Sequence, residues 1–328
     1  MQAIYYARAL DVAHAIRLGQ EPGAKYIGGG TNLLDLMKGH VENPARLVDI
    51  THIGLDQIST LADGGLRIGA LARNSDTANH ALIRQRYPLL SQALLSGASP
   101  QLRNMATMGG NLLQRTRCPY FTDAGFRQCN KRFPGSGCGA LHGYSRVHAI
   151  LGASESCIAV HPSDMCVALA ALDAVVQVRG PRGERSIAFA DFHRLPQTTP
   201  QFDTVLDPDE LITAVDLPPS PFAAHACYLK LRDRASYAFA LVSVAAALDL
   251  DGGKVRQARI ALGGVAHKPW RLPAAEALLV GAPLNPERAR AAADALIADA
   301  KPTRDNRYKL ELVRRAVVRA LHTAEEPT

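Results

Sequence analysis

The 328-residue chain has no run of about 18 apolar residues, the length a helix needs to cross a bilayer, so no membrane span is expected. Its opening, MQAIYYARALDVAHAIRL, lacks the basic, then apolar, then small-residue order of a secretory signal, and no twin-arginine pair precedes it. The chain is therefore expected to be made as a cytoplasmic polypeptide, exported only if a signal-bearing partner carries it. The phosphate loop G-x-x-x-x-G-K-[ST] is absent, and so is a complete dinucleotide fingerprint G-x-G-x-x-G. None of the six cysteines forms the C-x₂-C pair common in zinc and ferredoxin sites. No Ser/His/Asp set or paired carboxylates demand hydrolytic chemistry, and there is no repeat or low-complexity tract.

Acidic residues are scarce in one place. Between positions 101 and 150, seven Arg and Lys face a single acid, Asp123, a local excess of six within a chain of net charge +7. Such a bias marks an anion nearby. The basic residues are neither interleaved with aromatics nor carried on a recognition helix, so a buried anionic cofactor explains them better than nucleic acid.

What is present begins with two glycine turns. IGGGTNLLDL places Gly28, Gly29 and Gly30 after a strand-like segment and Thr31 and Asn32 at a helix start. Leu33 stands where the third fingerprint glycine belongs. TMGGNLL, at 107–113, repeats the chemistry: a hydroxyl, two glycines, an Asn, then apolar residues. Glycines let backbone approach a ligand, and free N–H groups at a helix start suit phosphate oxygens. One such turn reads equally well as a tight bend; two in one domain favour a ligand with two phosphates and a long body.

Around these turns, residues 1–55 read as a small α/β unit and residues 56–110 as two strand pieces followed by a helical stretch. Past the cysteine-rich loop come the helix PSDMCVALAALDA, the hairpin VVQVRGPRGERSIAF and a linker, LPPSPF. The end reads as antiparallel strands covered by helices, the last being RYKLELVRRAVVRALHT.

The loop from about 115 to 157 has no regular period. Cys118, Cys129 and Cys138 lie in it and Cys157 closes it. A loop that long inside a compact domain needs something to hold it. Four thiolates on a cluster would be balanced by Arg115, Arg117, Arg127, Lys131 and Arg132, while Gly135, Gly137 and Gly139 would free N–H groups for the sulfurs. Four structural cysteines, or a Cys₄ zinc site, fit the spacing as well; a disulfide framework does not suit so large a chain without a signal. Cys166 and Cys227 read as core residues, and His142, His148 and His161 as structural or surface groups.

IGGGTNLL, TMGGNLL and HPSD, in this order, resemble the FAD-binding medium subunit of molybdenum hydroxylases across essentially the whole chain. CNKRFPGSGC and HAILGASESCIAVHPSD are most similar to the flavoprotein subunit of bacterial periplasmic aldehyde oxidoreductases. The resemblance implies an α+β chain: a vanillyl-alcohol-oxidase (PCMH)-type FAD-binding fold in two subdomains, 1–55 and 56–220, plus a C-terminal antiparallel sheet with helices over 224–328. It implies FAD contacts from Lys25, Tyr26, Ile27, Gly28, Gly29, Gly30, Thr31, Asn32, Leu33 and Leu34, and a second cradle from Thr107, Gly109, Gly110 and Asn111. Asp164, Ile212 and Lys230 match further contacts; Asp164 also reads as a helix N-cap, as Ser163 does. It further implies a 4Fe–4S cluster on Cys118, Cys129, Cys138 and Cys157. The expected partners are a molybdenum-cofactor large subunit, a 2Fe–2S small subunit and an external electron acceptor. A stand-alone flavin oxidase, a 4-hydroxybenzoyl-CoA reductase-type subunit and a zinc-bearing basic scaffold are the competing readings.

Overall fold

A computed structural model describes residues 3–327. The N-terminal unit is a parallel three-stranded sheet of β1 (Tyr5–Arg8), β2 (Ala24–Ile27) and β3 (Arg46–Asp49), with β3 in the middle. The helix Val12–Gly19 makes the crossover from β1 to β2, the two strands that flank β3 and run parallel to it. Asp11 caps it by accepting from the His14 N–H.

The second unit is an antiparallel sheet of β4 (Ile58–Thr60), β5 (Leu66–Gly69), β6 (Val175–Gly180), β7 (Gly183–Ala188) and β8 (Leu211–Leu217), in the order β4-β5-β8-β6-β7. Placing β8 between β5 and β6 joins the two ends of the unit and leaves residues 70–174 as one long excursion. The expected single helical stretch is three short helices, Asn74–Asn79, Ala81–Arg86 and Pro88–Ser96. Pro88 explains the last break, since a proline starts a helix more readily than it continues one.

The C-terminal sheet comprises β9 (Ala226–Leu231), β10 (Val242–Asp251), β11 (Lys254–Gly263) and β12 (Trp270–Arg271), in the order β12-β11-β10-β9. Strand side chains alternate between faces, and β10 shows what that does here. Val242, Val244, Ala246 and Leu248 enter the core beneath the helix Tyr308–Glu325, while Ala245 and Ala247 enter the core of the preceding unit. Both faces are covered, which is why SVAAAL reads as continuously apolar.

The cysteine loop is fastened between these units. The Ile150 and Leu151 N–H groups both donate to Val265 O at 2.9 and 3.0 Å, and both side chains join the C-terminal core. Lys309 is fully buried and donates through Nζ to the carbonyls of Val147, His148 and Gly264. The loop borrows a core from the C-terminal domain, where the sequence offered none of its own. No helix among the described residues is long and apolar enough to cross a membrane.

Candidate functional site

The two glycine turns meet. A Cβ on Gly29 would stand 1.8 Å from Met105 O, and one on Gly28 would stand 3.3 Å from Thr107 Oγ1. Only a residue without a side chain lets the first turn lie on the second. Gly30 adopts φ +72°, the left-handed region that favours glycine. In the second turn Thr107 is the N-cap of the helix Met108–Leu112, its Oγ1 accepting from the Gly110 N–H at 3.2 Å. The Gly109 N–H donates to Ala70 O at 2.8 Å, which fixes that turn to the end of β5.

Beside the paired turns lies a cleft of about 510 Å³, lined by Thr31, Asn32, Asn111, Asp164 and Lys230 among others. Five of the expected cofactor contacts therefore share one cavity. Asp164 is the first residue of its helix while Ser163 is the cap, accepting from the Cys166 N–H. The carboxylate is buried and receives Lys230 Nζ at 2.7 Å and Tyr228 OH at 2.7 Å. Burial raises its pKa, opposed by the Lys230 ammonium. Lys25, Tyr26 and Ile27 lie in β2, leading into the first turn rather than lining the cleft, and Leu34 is exposed. Ile212 is packed inside β8 and lines no part of the cleft.

The cleft also holds Asn74, which sequence reasoning missed, and Arg117, which it set beside the thiolates instead. Asn74 lines it with a buried Oδ1 that has no hydrogen-bond partner, and Arg117 does so with a partnerless Nε. Arg117 Nη2 meanwhile donates to Asn32 Oδ1 at 2.5 Å, and its guanidinium lies 5.2 Å from the Phe239 ring centre. Asp233, Tyr237 and Phe239 arrive from the β9–β10 connection, so the C-terminal domain forms one lip. Buried polar atoms without partners cost free energy, and a cleft that gathers them suits a polar ligand.

The four loop cysteines line a second, small pocket together with His148. Cys129 and Cys138 face each other across an antiparallel bridge, as do Ser154 and Cys157. The Ala159 N–H donates to Cys157 Sγ at 3.4 Å. The nearby backbone N–H groups of Tyr120 and Phe121 favour the Cys118 thiolate, and those of Ala140, Leu141 and Ile158 the Cys138 thiolate, although Phe121 and Leu141 donate to the Cys118 and Cys138 carbonyls. Burial pushes the Cys118 thiol up to about 11. Cys138 is drawn down to about 6, chiefly by its hydrogen bond with Cys157, whose own pKa rises. Four convergent sulfurs with backbone N–H groups beside them form a donor set that suits a thiolate-bound metal centre.

Three expectations about this pocket need correction. The Gly135 and Gly137 N–H groups serve Asn130 Oδ1, and that of Gly139 serves Gln128 O; none reaches a sulfur. Gly135 and Gly137 are glycine because φ is +88° and +94° there. Arg115 is held by Glu42 and Asp203, and Arg132 by the carbonyls of Tyr120 and Phe126. Only Lys131 acts visibly on a thiol, favouring the Cys157 thiolate while pairing with Asp203 at 2.5 Å. Third, Arg117 turns to the large cleft, where it donates to Asn32 Oδ1. His148 and His161 are buried, within the structural reading, and His148 lines the pocket with Nε2 3.1 Å from Cys118 Sγ.

Cys166 and Cys227 are buried as expected, but Cys166 has company. Its sulfur and the imidazoles of His161 and His193 gather within 4.8 Å of one another. Ser163 N–H faces His161 Nδ1, leaving the proton on Nε2, and Leu112 O engages His193 Nε2, leaving a lone pair on Nδ1. The two remaining ring atoms, His161 Nε2 and His193 Nδ1, are buried without a hydrogen-bond partner, and the rings touch with centroids 4.3 Å apart.

Known proteins similar to this chain bear on the large cleft. Residues 2–220 match the family described as the FAD binding domain in molybdopterin dehydrogenase, and residues 226–324 match the CO dehydrogenase flavoprotein C-terminal domain. The chain is an FAD-binding medium subunit of the molybdenum hydroxylase family. This medium subunit is 55% identical over 326 residues to the aldehyde oxidoreductase FAD-binding subunit PaoB of Escherichia coli K12, covering 99% of each chain. It is 28% identical to the carbon monoxide dehydrogenase medium chain of Afipia carboxidovorans, covering 96% of each. Among solved structures, carbon monoxide dehydrogenase from Hydrogenophaga pseudoflava superposes with a TM-score of 0.77 at 27% identity, covering 98% of this chain and 97% of that one. The medium subunit is accordingly an FAD-binding part of an oxidoreductase, and large and small partner subunits are expected by family.

Proposed function

We propose that this chain is the electron-transfer subunit of a heterotrimeric aldehyde oxidoreductase, carrying FAD in the large cleft and a 4Fe–4S cluster on Cys118, Cys129, Cys138 and Cys157. Aldehyde oxidation would occur at molybdenum on the large subunit, with 2Fe–2S centres on the small subunit between the two. The 55% identity to an aldehyde oxidoreductase FAD-binding subunit supports the substrate class. Convergence of the four cysteines on one pocket carries the cluster reading. Bound flavin would supply the exchange between one-electron donors and a two-electron acceptor.

The chain's own residues position and insulate. Gly28 and Gly29 let the first turn pack on the second, which sets Thr31, Asn32 and Asn111 at the cleft wall; Asn74 and Arg117 offer unused polar atoms; Asp164 is fixed by Lys230 and Tyr228. The sulfurs sit in a buried pocket whose N–H dipoles favour thiolate. Export to the periplasm on a partner's signal belongs to the same proposal and rests on the sequence resemblance alone; cell fractionation tests it. Absorbance and metal analysis of the purified complex test the rest. Flavin with a broad iron–sulfur band on this chain is expected, and one zinc in place of iron would contradict it, Cys₄ being equally a zinc set. A stand-alone oxidase predicts that the chain turns over aldehyde without partners.

A further inference from the structure

The cysteine pocket has a polar neighbour on its wall that is not one of the four ligands. His148 Nε2 lies 3.1 Å from Cys118 Sγ, and the residue is 1% exposed. Several groups hold it there. Its N–H donates to Ser145 O, and its carbonyl accepts from Lys309 Nζ and Asn306 Nδ2. Lys309 and Asn306 belong to the last helix and the residue pair before it, so the C-terminal domain sets the ring's place. Tyr120 flanks the ring, with centroids 6.2 Å apart.

Position adds to contact. A cavity of about 220 Å³ is lined by Cys118 and His148 together with Arg117, Asp164 and Phe239. Those last three also line the large cleft. Of the four sulfurs, Cys118 alone lines both this connecting cavity and the cysteine pocket, and His148 is the side chain that hydrogen-bonds it.

We infer that His148 is a positioning and tuning residue for the metal centre: its Nε2–H donates to the Cys118 thiolate, on the side of the pocket that faces the flavin cleft. This rests on the cluster reading above. A hydrogen bond to a ligating sulfur draws electron density from it, weakens the Fe–S bond and favours the reduced cluster. The Ala159 N–H that donates to Cys157 is a backbone group, which a side-chain change leaves in place. His148 is the donor that selection or an experimenter can change.

The test uses the intact complex as wild type, His148→Leu and His148→Gln, Gln restoring a side-chain N–H donor. Resonance Raman of the oxidised protein reads the Fe–S(Cys) stretching bands without requiring reduction, and a redox titration followed by electron paramagnetic resonance adds the midpoint potential. The expected result is unchanged iron content, bands moved to higher frequency and a more negative potential in the Leu variant, with Gln moving both back toward wild type. Identical spectra in all three proteins would overturn the inference. So would loss of iron from both variants, which would make the imidazole a condition of assembly. A wild-type complex without iron on this chain would sink the cluster reading itself, a distinct outcome.

Discussion

Gly29 lies against the backbone of Met105 so closely that a Cβ would stand 1.8 Å from the Met105 carbonyl oxygen. This contact joins the two subdomains at the point where the cleft begins. Gly29→Ala must push the turns apart, at a cost of about 1–3 kcal/mol for an overpacked site. Loss of bound flavin at a lower melting temperature is expected, measured by flavin fluorescence after denaturation and by calorimetry. An Ala variant with full flavin and unchanged stability would show that the turns need not touch.

Asp164 and Lys230 form a buried pair in the cleft wall, 2.7 Å apart with side chains 8% and 4% exposed. Removing one partner leaves the other charged and buried. Lys230→Met is expected to destabilise the fold by about 3–5 kcal/mol, whereas the double replacement Asp164→Leu with Lys230→Met recovers most of that. Denaturant unfolding of the three proteins measures the cycle.

Asn74 separates ligand binding from folding. Its partnerless Oδ1 is buried in the cleft, so Asn74→Ala removes an unsatisfied acceptor from the flavin-free chain. The flavin-free form should be as stable as wild type or more so, while flavin affinity falls about tenfold, the loss of one hydrogen bond of roughly 1.4 kcal/mol. Titration calorimetry on the deflavinated protein checks both halves.

Acid should weaken the fold through its buried histidines. Burial pushes His193 and His267 down to about 4, from about 6.5 in an unfolded chain. Above pH 6.5 both states are neutral and nothing is lost. Between about 6.5 and 4 the unfolded chain binds protons that the folded chain refuses, so stability falls with pH by about 1.4 kcal/mol per unit for each histidine. His193→Gln should flatten that slope, which urea midpoints across the range will measure.

The glycine turns were legible in the sequence because their requirement is local: a backbone that must touch something cannot carry a side chain. The strands and the last helix were legible because their apolar periods match the faces they bury. Ile212 was not, because a motif match fixes where a residue stands in the chain and not which face of β8 it occupies. Gly135 and Gly137 misled for a related reason, since positive φ and ligand approach select glycine alike. Arg115 and Lys131 read as awaiting an anion; Asp203, 88 and 72 residues onward, supplies it through the fold. Asn74 carries no motif, and His148 opens the quoted stretch HAILGASESCIAVHPSD without any ligand spacing; only the closing of the chain puts one in the cleft and the other beside a sulfur.

Iron bookkeeping on the assembled complex reaches the central claim most directly. Cys129→Ser combined with Cys138→Ser should remove about four irons per complex, those of one cube on this chain, while molybdenum, flavin and the partner's iron stay in place; Cys166→Ser should remove none. An unchanged iron content in the double variant, or the loss of about one zinc in its place, would contradict the assignment of these four cysteines to an iron–sulfur cluster.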